Sequence, residues 1–135
     1  MPRTMASIPL ALAIAVCCGA ALAQEAASFT QLSACRIDAE RILLRATFDG
    51  SPCWAVEPAQ LAEPRGTIVA VHLPTRSTAE ICTMNIVPVS TEQVIEAPDP
   101  IADLDVTAAA PQNEVMAQGV IEVKEGQGGC LAARG

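Results

Sequence analysis

The chain has 135 residues, of which 51% are apolar and 2% are aromatic, and its eight basic and 15 acidic residues give a net charge of −7. This acidity disfavours binding to nucleic acid or anionic lipid, because both are polyanions and the sequence has no basic cluster. One Trp, two Phe and no Tyr leave few rings on which sugars or single-stranded nucleic acids could stack.

The amino terminus has the pattern of a secretory signal peptide. Arg3 supplies a positive charge, residues 8–17 form an uncharged apolar run, and Ala21 and Ala23 are the small residues that signal peptidase requires. Cleavage after Ala23 removes one basic residue and no acidic one, which changes the net charge from −7 to −8. A retained N-terminal anchor is the alternative. We expect a periplasmic or secreted protein with no integral membrane span after cleavage.

Four cysteines remain after this cleavage: Cys35, Cys53, Cys82 and Cys130. An even number of cysteines in an oxidising compartment predicts two disulfides, and three connectivities are open. The spacing contains no CxxC, which disfavours both a thioredoxin-like redox site and a zinc ribbon.

The first half of the domain reads as strands separated by turns. Residues 41–48 alternate apolar and polar side chains, the mark of a half-buried strand. Gly50 and Pro52 mark the turn that follows them. The strands predicted here are 35–39, 41–48, 53–57 and 67–73, and the predicted loops are 58–66 and 74–80.

The second half continues in the same way. Pro88 cannot donate a backbone hydrogen bond, so it marks a sheet edge or a strand end. Pro98 and Pro100 predict a turn, and Gly119 predicts a bulge in the last strand. The strands predicted in this half are 81–89, 92–96, 102–108 and 115–123.

The sequence contains short strand patterns and no long segment with helical periodicity, which predicts an all-β fold. We expect an antiparallel β-sandwich or small barrel of about seven strands, Greek-key or immunoglobulin-like. Cys35, Trp54 and Cys82 follow the Cys–Trp–Cys order of immunoglobulin domains and so resemble that family, although Glu80 stands where the family has Tyr. We predict that the chain consists of a signal peptide at 1–23, a flexible N-terminal segment at 24–33 and one β-sandwich domain at 34–135.

Candidate metal ligands are His72, the only histidine, with Met84 and Met116. Imidazole and thioether sulfur together favour Cu(I), and here they resemble periplasmic copper-binding β-sandwiches in ligand type. The competing interpretation is a strand histidine without a task and two methionines that fill the core. We name no cofactor and no metal site from these residues.

Two further features were weighed for chemistry. Asp103 and Asp105 share a strand face about 7 Å apart, a spacing compatible with paired catalytic carboxylates, but they alternate with apolar residues as a solvated face does. Trp54 is expected to pack against a disulfide or the sheet, with a partner-binding anchor as the alternative.

These observations favour a non-enzymatic exported domain. We predict a module that binds another protein or serves as an envelope accessory factor, inhibitor-like in presenting a rigid loop at 58–66 or 74–80. The alternative is a periplasmic copper-binding protein that uses His72, Met84 and Met116.

Overall fold

The computed structural model describes residues 28–125, and in this range the chain forms eight β-strands and no helix. The prediction of an all-β fold is therefore confirmed. The strands are β1 (Gln31–Arg36), β2 (Arg41–Gly50), β3 (Trp54–Val56), β4 (Gln60–Leu61), β5 (Ile68–Ser77), β6 (Val87–Glu96), β7 (Asp103–Ala109) and β8 (Val115–Lys124).

The strands form one sheet in the order β3-β5-β7-β8-β1-β2-β6, and β4 pairs with β5 on the same edge as β3. The pairs β1–β8 and β5–β7 are parallel, and the other pairs are antiparallel. The two ends of the sheet, β3 and β6, approach each other. The sheet is therefore a nearly closed barrel, the second of the two architectures that the sequence predicts, and the immunoglobulin-like topology is not confirmed.

The core fills the barrel with aliphatic side chains and Phe48. Along β2 the buried residues Ile42, Leu44, Ala46 and Phe48 alternate with more exposed ones, as their spacing predicts, and Leu43 is buried as well. Phe29, just before β1, packs edge-on against Phe48 with ring centroids 6.2 Å apart. This alternation suits a barrel wall, because each strand buries one face in the core and turns the other face to solvent.

Arg36 occupies one end of the barrel. Its side chain is only 4% exposed, and its guanidinium donates hydrogen bonds to the carbonyl oxygens of Ala97 at 2.9 Å and Ile101 at 2.8 Å. These bonds fix the connection between β6 and β7, which includes the predicted turn at Pro98 and Pro100. The guanidinium also lies 3.2 Å from the carboxylate of Asp99.

Two predictions near the middle of the chain are wrong. Residues 74–80 were expected to be a loop, but β5 continues to Ser77, because Leu73 and Thr75 are both buried and Thr75 Oγ1 donates to Ala109 O at 2.7 Å. Residues 81–89 were expected to be a strand, but the strand begins only at Val87 and runs without a break to Glu96. Pro88 does lie in a terminal strand of the sheet, as predicted.

Smaller differences concern strand boundaries. Residues 31–33, placed by the sequence in the flexible N-terminal segment, form the first half of β1. Within the predicted loop 58–66, Gln60 and Leu61 form the short strand β4 against β5. Both segments gain backbone partners that only the tertiary fold provides.

One disulfide is present among the described residues, and it joins Cys53 to Cys82. Cys82 therefore does not pair with Cys35 as the immunoglobulin order would place it. Cys130, the signal peptide at 1–23 and the end of the C-terminal tail lie outside the described residues, so the second disulfide stays a prediction. Within residues 28–125 we find no helix with the length and apolar character to cross a membrane.

Candidate functional site

The candidate site lies at the end of the barrel opposite Arg36. Here β2 ends at Gly50, and the turn at 51–53 leads into β3. The connection from β5 to β6, residues 78–86, crosses the same end without strand structure, and we call it the apolar loop. The Cys53–Cys82 disulfide fastens the middle of this loop to the start of β3. Thr78 N donates to Cys53 O at 2.7 Å and fixes the loop's first residue.

Three large apolar side chains of the loop point into solvent. Ile81 is 92% exposed, Met84 102% and Ile86 78%. Scattered apolar residues are normal on a protein surface, but three within six positions of one tethered loop form a patch. Burying these side chains against a partner would contribute about 1.5–3 kcal/mol each, which makes the patch a candidate interaction surface.

A pocket of about 490 Å³ opens beside the loop. Its apolar lining residues include Trp54, Met84, Ile86 and Met116, and its polar lining residues include Asp49, Ser51 and Asn85. This volume lies within the range of ligand pockets, and thioether side chains adapt to the shape of what they contact. The arrangement suits an apolar group rather than a polar substrate.

Gly50 shapes one wall of this pocket. A Cβ at this position would lie 2.8 Å from Cε3 of Trp54 and 2.9 Å from Cγ2 of Val89. The absence of a side chain lets the indole ring lie directly on β2, next to the sheet's opposite edge at β6. Trp54 is half-buried, so one part of the ring packs on the barrel and another part borders the pocket.

Ser51 connects the turn to the disulfide. Its Oγ lies 3.2 Å from Cys82 Sγ and also accepts a hydrogen bond from Cys53 N at 3.2 Å. The turn, the disulfide and the loop thus form one connected unit. The loop's backbone is anchored at its start and at Cys82, while Met84 and its neighbours extend beyond the anchor.

The structure separates the predicted metal ligands. Met84 and Met116 both border the pocket, whereas His72 lies on the outer face of β5, in a shallow depression with Gln60 and Thr107. Residues 28–125 contain no group of three His, Cys, Asp or Glu side chains placed to hold a metal ion. The copper hypothesis therefore gains no support from this placement.

Asp103 and Asp105 lie on the outer face of β7, as the alternation predicts. In register, Asp103 faces Glu122 of β8 and Ile68 of β5, and Asp105 faces Val120 and Ala70. The two aspartates alternate along β7 with the buried residues Leu104 and Val106. Neither residue borders the pocket.

Sequence reasoning identified Trp54 and Met84 but missed Ile81 and Ile86. A run rich in β-branched and apolar residues predicts a strand, and the sequence does not reveal that Cys82 bonds to Cys53 and draws the run off the sheet. The even cysteine count was the one available signal, because either partner of a disulfide can lie on a connecting loop.

Comparison of the chain with protein-family models, with curated proteins and with solved structures finds no match in any of the three.

Proposed function

We propose that this chain is an exported, non-enzymatic binding module whose apolar loop and adjoining pocket dock onto another protein. The observation that carries the proposal is the exposure of Ile81, Met84 and Ile86 on a loop fastened by a disulfide. The tether matters because a restrained loop loses less conformational entropy on binding than a free one does.

The location of Trp54 supports the same conclusion. Aromatic residues and methionine are enriched at the centres of protein interfaces, and hot spots pair an apolar anchor with a pocket. Here Trp54 borders the pocket with Met84 and Met116, directly beside the exposed loop residues. The predicted export agrees with the Cys53–Cys82 disulfide, because disulfides persist in oxidising compartments.

Site-specific photo-crosslinking in the compartment to which the protein is exported tests the proposal. A benzophenone amino acid replaces Asn85, an exposed residue of the apolar loop, and in the matched control it replaces Gln118, an exposed amide on the outer face of β8. We expect a discrete adduct from position 85 and none from position 118. Equal labelling from both positions, or none from position 85, would contradict the proposed binding surface.

A further inference from the structure

The pocket beside the apolar loop carries a charge pattern that narrows the chemistry of the partner. Among residues 28–125, Asp49 is the only ionisable side chain that borders the pocket. It is exposed, at the end of β2, and within residues 28–125 no cation forms an ion pair with it. The rim thus presents one carboxylate next to an otherwise apolar wall.

Trp54 adds a second feature that favours a cation. The negative face of an indole ring attracts an ammonium or guanidinium group placed over it. Trp54 and Asp49 both border the pocket, so each favours a cationic group at its rim. Arg76 lies on β5 opposite Ala55 and does not border the pocket.

The net charge of the chain also favours a positively charged partner. The chain carries a net charge of −7, and Glu80 immediately precedes Ile81 in the apolar loop. A field of this sign steers a cationic partner towards the protein and slows the approach of an anionic one.

We propose that the pocket accepts a large apolar side chain from a partner-protein segment that carries a lysine or arginine beside it. The apolar side chain contacts Met116 and Ile86, and the cation lies at the rim of the pocket, where the negative charge of Asp49 and the ring of Trp54 both favour it. This inference rests on the proposed function, since it names the partner chemistry for the same site.

Three small probes with the same chain and different head groups test this charge preference: hexylammonium, hexanol and hexanoate. Because Trp54 is the only tryptophan, its fluorescence reports occupancy of the pocket directly. We expect hexylammonium to bind about threefold or more tightly than hexanol, and hexanoate more weakly than both, since an exposed ion pair and a cation–π contact are each modest.

Two variants separate charge from shape. Asp49→Asn should make the three dissociation constants more nearly equal without weakening the binding of hexanol. Met116→Ser should weaken the binding of all three probes. Val120→Ser, on the outer face of β8, is the control and should change none. Equal binding of the three probes by the unaltered protein overturns the inference, and so does unchanged Trp54 emission up to the solubility limit of hexanol.

The crosslinking experiment distinguishes failure of this inference from failure of the proposed function. If position 85 forms an adduct whose yield is unchanged by Asp49→Asn, the binding surface stands and the preference for a cationic segment is wrong. If position 85 forms no adduct, the proposed function itself fails.

Discussion

Gln93 and Ala59 are joined across the seam of the barrel, where the two ends of the sheet meet without a backbone ladder. The side-chain Oε1 of Gln93 on β6 accepts a hydrogen bond from Ala59 N at 2.7 Å, and its Nε2 donates to Glu57 O at 3.0 Å. One side-chain amide thus satisfies two backbone groups in the connection between β3 and β4. The seam is closed by a side chain that reproduces the pairing of a strand.

The first prediction concerns this seam. Gln93→Leu keeps the approximate shape but leaves the Ala59 amide and the Glu57 carbonyl without these partners. We expect the free energy of unfolding to fall by about 1–3 kcal/mol, because two part-buried hydrogen bonds are lost and each contributes about 0.5–1.5 kcal/mol. Ser90, on the same strand as Gln93, bonds Thr47 of β2 through an exposed side chain, so Ser90→Ala is the control and should cost about 0.5 kcal/mol or less. Urea unfolding measures both, and equal effects would contradict the role of Gln93.

The second prediction concerns the contact between Gly50 and Trp54. Gly50→Ala places a Cβ within 3 Å of the indole ring, so the ring must shift and the pocket must change shape. We expect a loss of about 1–3 kcal/mol from overpacking, together with a shift in tryptophan emission. In the control Gly119→Ala the nearest atom is Cδ2 of Leu32 at 3.2 Å, the end of a side chain that can rotate. Unchanged emission in Gly50→Ala would be evidence against this packing.

The third prediction concerns pH. The side-chain hydrogen bond from Arg41 lowers the pKa of Asp38 below its ordinary value of 3.8, with help from the backbone amide of Glu40. Because the folded pKa is depressed, the carboxylate stabilises the fold fully above pH 3.8 and loses this effect as the pH falls through the lowered value. The stability difference between wild type and Asp38→Asn should therefore shrink below pH 3.8.

Unfolding measured from pH 7 to pH 2 checks this sign. Glu114→Gln is the matched control, because Glu114 forms no ion pair in the part of the chain that the structure describes. A difference between wild type and Asp38→Asn that grows on acidification would refute the assignment.

The fourth prediction concerns the tether of the apolar loop. The Cys53–Cys82 disulfide closes a sequence separation of 29 residues, and in the chain-entropy model its loss costs about 3–4 kcal/mol. In Cys53→Ser/Cys82→Ser we also expect faster amide exchange in residues 79–86. Strand β7 is paired on both sides, so its amides should still exchange only through global unfolding. Unchanged exchange in the loop would show that other contacts hold it.

The sequence predicts the strands that have a simple periodic pattern. In β2 and β7 apolar and polar residues alternate, and both strands appear close to their predicted bounds because burial of one face decides their conformation. The predicted turn is close to the observed one: Pro52 lies in it, whereas Gly50 is the last residue of β2. These features depend on neighbours in the sequence, so local patterns reveal them.

The candidate site depends on contacts between distant residues, which is why the sequence reveals only part of it. Cys82 could have paired with any of three cysteines, and its bond to Cys53 makes a loop of a segment with strand composition. Gln93 reads as an ordinary polar strand residue, yet it closes the seam. Trp54 and Met84 attract attention by residue type alone, but their meeting at one pocket follows from the barrel's closure.

The most direct test of the binding surface separates its effect on function from its effect on folding. The variant Ile81→Ser/Met84→Ser/Ile86→Ser carries the crosslinking residue at position 85. Its control is Val94→Ser/Val120→Ser, which replaces two exposed valines elsewhere on the barrel. We predict that the loop variant keeps the wild-type free energy of unfolding within about 0.5 kcal/mol and loses the adduct, while the control keeps both. An undiminished adduct in the folded loop variant would contradict the account.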